Sequence, residues 1–150
     1  MRETHLITGG TGFVGSAVIL ELLRQTDADV VAVVRPAAGS PRERLLEALG
    51  HAAAVYEADD ELLEAIEVRC DAVGGDLGEP HCGVDPADLP PIRSVWHCAA
   101  SLRYEDRYAG EIFATNLDGT RQALALAERA GVSGRSTTSA RRTSRATSTG

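Results

Sequence analysis

A chain of 150 residues and 15.8 kDa can bury one core but is too short for a multidomain enzyme. Its 22 acids against 15 bases leave a net charge of −7, which argues against nucleic acid or an anionic membrane as the main partner. Hydrophobic content of 43% excludes wholesale disorder, and no apolar run approaches the ~20 residues of a membrane span.

In chain order, His5-Leu6-Ile7-Thr8 reads as a short strand running into Gly9-Gly10-Thr11-Gly12-Phe13-Val14-Gly15. A helix follows, with Val14, Val18 and Leu22 on one face. Val30-Val31-Ala32-Val33-Val34 is a continuous β-branched run, the pattern of a strand covered on both faces of a parallel sheet. Pro36 to Pro41 is a loop, and Arg42 to Leu49 is helical, ending near Gly50. Asp60 to Ile66 is a second helical piece, and Val68 to Val73 a third strand closed by Gly74-Gly75-Asp76-Leu77. A connector rich in Pro and Gly, Gly78 to Pro91, leads to a fourth strand, Ser94 to Cys98. In the long helix that follows, Phe113, Leu117, Thr120, Leu124 and Ala127 share a face, and Gly131 caps its end. This alternation predicts an α/β fold, a Rossmann-type doubly wound parallel sheet truncated after the fourth strand and its helix.

All the basic residues are Arg, so no step that needs an amine side chain is available within this sequence. Residues 1–132 carry −11 and residues 133–150 carry +4, which sets the expected boundary of an incomplete α/β domain at 132. Cys70, Cys82 and Cys98 lack metal-ligand spacing, despite the pairs His81-Cys82 and His97-Cys98. No metal site is expected, and the thiols read as reduced and buried or half-buried. Met1-Arg2-Glu3 opens without a signal-peptide core, so a soluble cytoplasmic protein is expected.

Thr8 to Gly15 has the pattern T-G-x-x-G-x-x-G. Gly9 allows the tight turn, Gly12 lets a pyrophosphate approach the backbone, and Gly15 lets helix and strand pack closely. The helix start, at Phe13 and Val14, offers N–H groups and positive potential to phosphates. The strand before and the helix after are the context that separates this motif from a structural turn. NAD-binding domains place an acid ~20 residues beyond the loop; here that position is Arg35, with Arg42 and Arg44 nearby. A guanidinium suits a 2′-phosphate and cannot accept a bond from a 2′-hydroxyl, so NADP (NADPH) is favoured over NAD. The alternative for Arg35 is an exposed strand-end charge.

Thr8 to Gly15, Gly75-Asp76-Leu77, His97-Cys98-Ala99-Ala100 and Asn116-Leu117-Asp118-Gly119-Thr120 together resemble the extended short-chain dehydrogenase/reductases. Val33-Val34-Arg35, Arg42 to Leu49 and Ser101-Leu102-Arg103-Tyr104 look like the thioester reductase branch, which includes carboxylic acid reductase termini and fatty acyl-CoA reductases. The resemblance covers residues 5 to about 132. It implies that Gly9, Gly12 and Gly15 hold the pyrophosphate, Arg35 the 2′-phosphate, and Asp76 and Leu77 the adenine. It implies that Ala99 and Ala100 line the route to the nicotinamide, and that Asn116 supports a proton-relay water. Plainer roles stay open: Asp76 as a turn acceptor, the Ala pair as tight packing, Asn116 in a local hydrogen bond. The family's Tyr acid and the Lys four residues on are absent; Tyr56, Tyr104 and Tyr108 lie before the expected position and lack the partner. The implied substrate is a small-molecule or carrier-bound acyl thioester. Two rival readings are an NAD-dependent nucleotide-sugar epimerase or dehydratase and a non-catalytic NADP sensor.

Residues 133–150 hold five Ser, five Thr, four Arg, two Ala and two Gly, a composition at odds with a buried fifth strand. They read either as a basic, disordered tail or as a frameshift. With TCN for Ser and CGN for Arg, joining each codon's third base to the next two, from Arg135 to Ala146, permits Val-His-His-Val-Ser-Thr-Ala-Tyr-Val-Ala-Gly. That string resembles the fifth strand of thioester reductases. Without such a strand the fourth would be an exposed edge, and self-association through it is expected.

Overall fold

The computed structural model describes residues 2–99, 109–132 and 136–138. Strands β1 (Thr4–Thr8), β2 (Asp29–Val34), β3 (Cys70–Gly74), β4 (Ser94–His97) and β5 (Ser136–Thr138) form one parallel sheet in the order β3-β2-β1-β4-β5. Helices α1 (Phe13–Gln25), α2 (Pro41–Val55) and α3 (Asp60–Arg69) precede β2 and β3, and α4 (Ala109–Arg129) follows β4. Strand order reverses at β1, whose two neighbours are β2 and β4.

Alternate residues of the strands feed two cores. Ile7, Val30, Ala32 and Val34 pack under α1, α2 and α3 with Ile19, Leu23, Leu45, Leu49, Leu62 and Ile66. Leu6, Val31, Val33 and Val95 face the other way, onto Cys82, Val84, Ile92, Ala123 and Leu126. Helices on both faces explain why β2 is apolar at every position from Val30 to Val34 rather than at every second one.

Several boundaries differ from expectation. Helix α2 begins with a capping box, Ser40 accepting from the Glu43 amide at 3.1 Å while Glu43 accepts from the Ser40 amide at 3.3 Å. It does not stop near Gly50 but runs to Val55, because the Ala-rich turn after Gly50 favours helix and buries Ala53. Val68 belongs to α3 rather than to the third strand and is exposed. Arg69 ties that helix end to the end of α1, donating to the carbonyls of Thr26 at 2.9 Å and Ala28 at 3.1 Å.

On α4 the buried stripe is Gly119, Ala123, Leu126 and Ala127, whereas Leu117 (38%) and Leu124 (49%) are exposed. Small residues win that face because the helix lies close against the connector, with Gly119 beside Leu77. Gly131 caps α4 as expected, at φ +64, with its amide on Glu128 and that of Val132 on Ala127.

The expectation of a sheet truncated after the fourth strand, with β4 as its open edge, is corrected. Ser136, Thr137 and Thr138 pair with Val95, Trp96 and His97. An edge strand needs an extended backbone more than an apolar sequence, and the two β-branched threonines favour one.

Candidate functional site

The chain leaves β1 at Thr8 and turns at Gly9, whose φ of +72 lies in the region that favours glycine. The Gly12 amide donates back to the Gly9 carbonyl at 3.1 Å, closing the turn, and Gly12 becomes the residue that starts α1. No side chain caps that start, and the first turn carries no acid. Its amides and the helix potential are therefore directed at the loop itself. Gly15 passes so near the loop that any Cβ there would overlap the Gly9 carbonyl. Phe13 and Val14 project outward, Phe13 at 80% exposure.

Beside this turn, at the carboxyl ends of the strands, lies a cleft of about 260 Å³. Thr8, Gly9, Arg35, Asp76, Leu77 and Ala99, all singled out in the sequence, line it. Thr11, Val33, Val34, Arg44 and Gly75 complete the wall. Arg44 reaches over from α2 and donates to the Arg35 carbonyl, so both cations belong to one rim. Arg44 carries the signal of an arginine a few residues beyond the strand end; Thr11 is an unspecified position of the glycine motif.

Asp76 accepts from the Gly78 amide at 2.8 Å, its own amide donates to the Cys82 carbonyl at 2.8 Å, and its carbonyl accepts from Glu79 at 3.0 Å. One carboxylate oxygen is thus a turn acceptor, and the residue also lines the cleft. Gly75 is as tightly held as the motif glycines: a Cβ there would sit 2.5 Å from the Cys82 carbonyl oxygen. Asn116 does not line the cleft; it is half-buried on α4, where its carbonyl accepts from the Thr120 hydroxyl at 2.8 Å. Ala100, Tyr104 and Tyr108 lie outside the described residues.

Behind the cleft, the Thr8 hydroxyl meets His97 Nδ1 at 2.6 Å, and both residues are buried. Burial lowers the His97 pKa. The sequence placed His97 in the fourth strand and in the motif His97-Cys98-Ala99-Ala100, but gave no sign of this contact. The three thiols are free; burial pushes Cys70 up to about 12, Cys82 up to about 11, and Cys98 upward. No described helix is long and apolar enough to cross a membrane.

A parallel sheet whose first strand runs through a glycine turn into an uncapped helix, with a cleft where strand order reverses, defines an NAD(P)-binding Rossmann-type domain. Residues 7–146 match the NAD-binding family described as "Male sterility protein", and the chain belongs to that family. It is 31% identical to human fatty acyl-CoA reductase 2 over 135 residues, 83% of this chain and 25% of that protein. Among solved structures, the terminal R domain from the myxalamid PKS-NRPS biosynthetic pathway superposes with a TM-score of 0.71 at 30% identity, covering 89% of this chain and 33% of that one. The reductase domain of a nonribosomal peptide synthetase from Mycobacterium tuberculosis superposes with a TM-score of 0.62 at 26% identity, covering 92% of this chain and 32% of that one. The chain thus spans about a quarter of the fatty acyl-CoA reductases it matches.

Proposed function

We propose that this chain is the NADP-binding part of a reductase that acts on acyl thioesters. The observation that carries the reading is the pairing of Arg35 and Arg44 on the rim of the glycine-turn cleft, at the strand end where an NAD-type domain needs an acid. The bound cofactor would supply hydride. Gly9, Gly12 and Gly15, with the amides that open α1 at Phe13 and Val14, hold the pyrophosphate. Arg35, steadied through its carbonyl by Arg44, takes the 2′-phosphate. Asp76 and Leu77 border the adenine, and Ala99, with Ala100 after it, leads toward the nicotinamide. Asn116 has the supporting role of holding a proton-relay water.

Similarity to a fatty acyl-CoA reductase and to a peptide-synthetase reductase domain supports this reading over a nucleotide-sugar epimerase or dehydratase. With no Lys in the sequence, these residues do not supply the Tyr–Lys acid of such enzymes, and their part in the reductase is to hold the cofactor. Three free thiols, Cys70 and Cys82 buried and Cys98 half-buried, fit a reducing, cytoplasmic setting. Self-association belongs to the outer edge of β5 and to the apolar strip from Phe13 and Val14 to Trp96.

Residues 133–150 are best read as a frameshifted continuation: β5 occupies the place of a fifth strand, yet its sequence is Ser-Thr-Thr in a tail without an apolar residue larger than Ala. Resequencing the coding DNA from the Gly131 codon onward tests this. A single-base correction that opens a frame through Tyr-x-x-x-Lys supports it, and a confirmed frame refutes it. The cofactor reading is tested by titrating the chain with NADPH and NADH. Arg35→Asp is expected to weaken NADPH binding far more than NADH binding; equal effects on both would refute the NADP assignment.

A further inference from the structure

Thr8 ends β1 and His97 ends β4, and the two are register partners across the point where strand order reverses. The two residues are 1% and 4% exposed, and Thr8 Oγ1 lies 2.6 Å from His97 Nδ1. The Ala99 amide donates to the same hydroxyl at 3.4 Å. A hydroxyl carries one proton and two lone pairs. With a lone pair engaged by Ala99, the arrangement that satisfies both side chains has Thr8 donating to an unprotonated Nδ1, which leaves His97 neutral with its proton on Nε2. Burial of the ring, which disfavours imidazolium, acts in the same direction.

The backbone repeats the link, Cys98 donating to the Thr8 carbonyl at 3.1 Å. One residue on, Gly9 lies so near Ala99 that a Cβ on it would stand 2.5 Å from the Ala99 nitrogen. Thr8, Gly9 and Ala99 all line the cleft, so the width of the cleft at this point depends on how the two strand ends are joined.

We infer that Thr8 and His97 form a positioning pair that fixes the glycine turn against the Cys98-Ala99 segment and so holds the dinucleotide cleft open in its binding geometry. The inference rests on the cofactor reading above. His97 acts through Thr8, and a preformed cleft spares the cofactor the ordering of two loops on binding.

The test uses the full chain, titrated with NADPH by fluorescence, together with nitrogen NMR of the imidazoles. Thr8→Val keeps the shape and removes the hydroxyl, whereas Thr8→Ser keeps the hydroxyl. His97→Asn returns an acceptor near the Nδ1 position, and His97→Leu returns none. Thr8→Val and His97→Leu are expected to raise the NADPH Kd about tenfold, and Thr8→Ser and His97→Asn to recover most of it. The wild-type spectrum should show His97 unprotonated at Nδ1, with the tautomer balance moved in Thr8→Val. Should His97→Leu fail to fold, the Val and Ser variants at Thr8 decide the matter alone. Wild-type affinity in both Thr8 variants, or a proton on Nδ1 of the wild-type ring, overturns the inference. A wild-type chain that binds no NADPH overturns the cofactor reading and this role with it.

Discussion

Arg44, in the first turns of α2, donates its guanidinium to the backbone carbonyl of Arg35 at the end of β2. The bond spends one edge of a planar fork on the backbone and leaves its other donors to the cleft that Arg35 also lines. Replacing Arg44 by Leu should therefore weaken NADPH binding by about tenfold or more, the loss of a charge-assisted bond, and leave NADH binding nearly unchanged. Parallel titrations with the two cofactors check this, and a matched loss for both would assign Arg44 to the general shape of the cleft.

Gly12 and Gly15 separate cofactor approach from packing. A Cβ on Gly12, at φ −85, meets the Gly9 carbonyl oxygen at an ordinary 3.4 Å. Gly12→Ala should cost below about 1 kcal/mol of stability while weakening cofactor binding. Gly15→Ala forces the α1 start away from the turn and should cost about 1–3 kcal/mol before any cofactor is added. Urea denaturation of the two variants without ligand gives the comparison, and equal losses would contradict it.

Stability should be greatest between about pH 6.5 and 9, the ordinary His and Cys values from which these groups depart. His5 and His97 have lowered pKa values through burial, so over the interval below 6.5 the unfolded chain binds more protons than the folded one, and stability falls as pH falls. Cys70 and Cys82, raised to about 12 and about 11, stay protonated when folded while the unfolded thiols ionise, so stability also falls as pH rises above 9. Melting temperatures from pH 5 to 10.5 under reducing conditions test both limbs. A Tm that keeps rising beyond pH 9 would contradict the thiol limb.

Helix α2 ends on a residue that its backbone does not suit. Glu57 has φ +50, with its amide on the Ala54 carbonyl and the Ala58 amide on that of Ala53, the same double closure that Gly131 makes at the end of α4. Glu57→Gly should stabilise the chain by up to about 1 kcal/mol, since the left-handed conformation then carries no Cβ penalty. Chemical denaturation reads it, and a loss of stability would contradict it.

Gly50 and Glu57 also show where the sequence was legible. A glycine after a periodic run looks like a helix end; Gly131 is one, but Gly50 sits mid-helix with open space around it. The true end of α2 is written in a residue type that gives no such signal. The glycine turn was readable because Gly9 and Gly15 sit where no other residue fits. The α4 face was misjudged because a close approach buries Gly119 and Ala123 and leaves the larger Leu117 and Leu124 outside. The Thr8–His97 contact spans 89 positions with no spacing rule behind it, so only the fold could reveal it.

The central place of β1 sets a schedule for the ribosome. The first strand synthesised finds β2 within a helical crossover, but its other partner, β4, begins only at Ser94, opposite His5. At usual synthesis rates those residues take roughly 5–20 s to emerge. Throughout that wait β1 presents a bare row of amides and carbonyls beside a glycine turn whose buried hydroxyl has not met its imidazole. The edge most open to a neighbouring nascent chain is therefore the one that becomes the middle of the finished sheet.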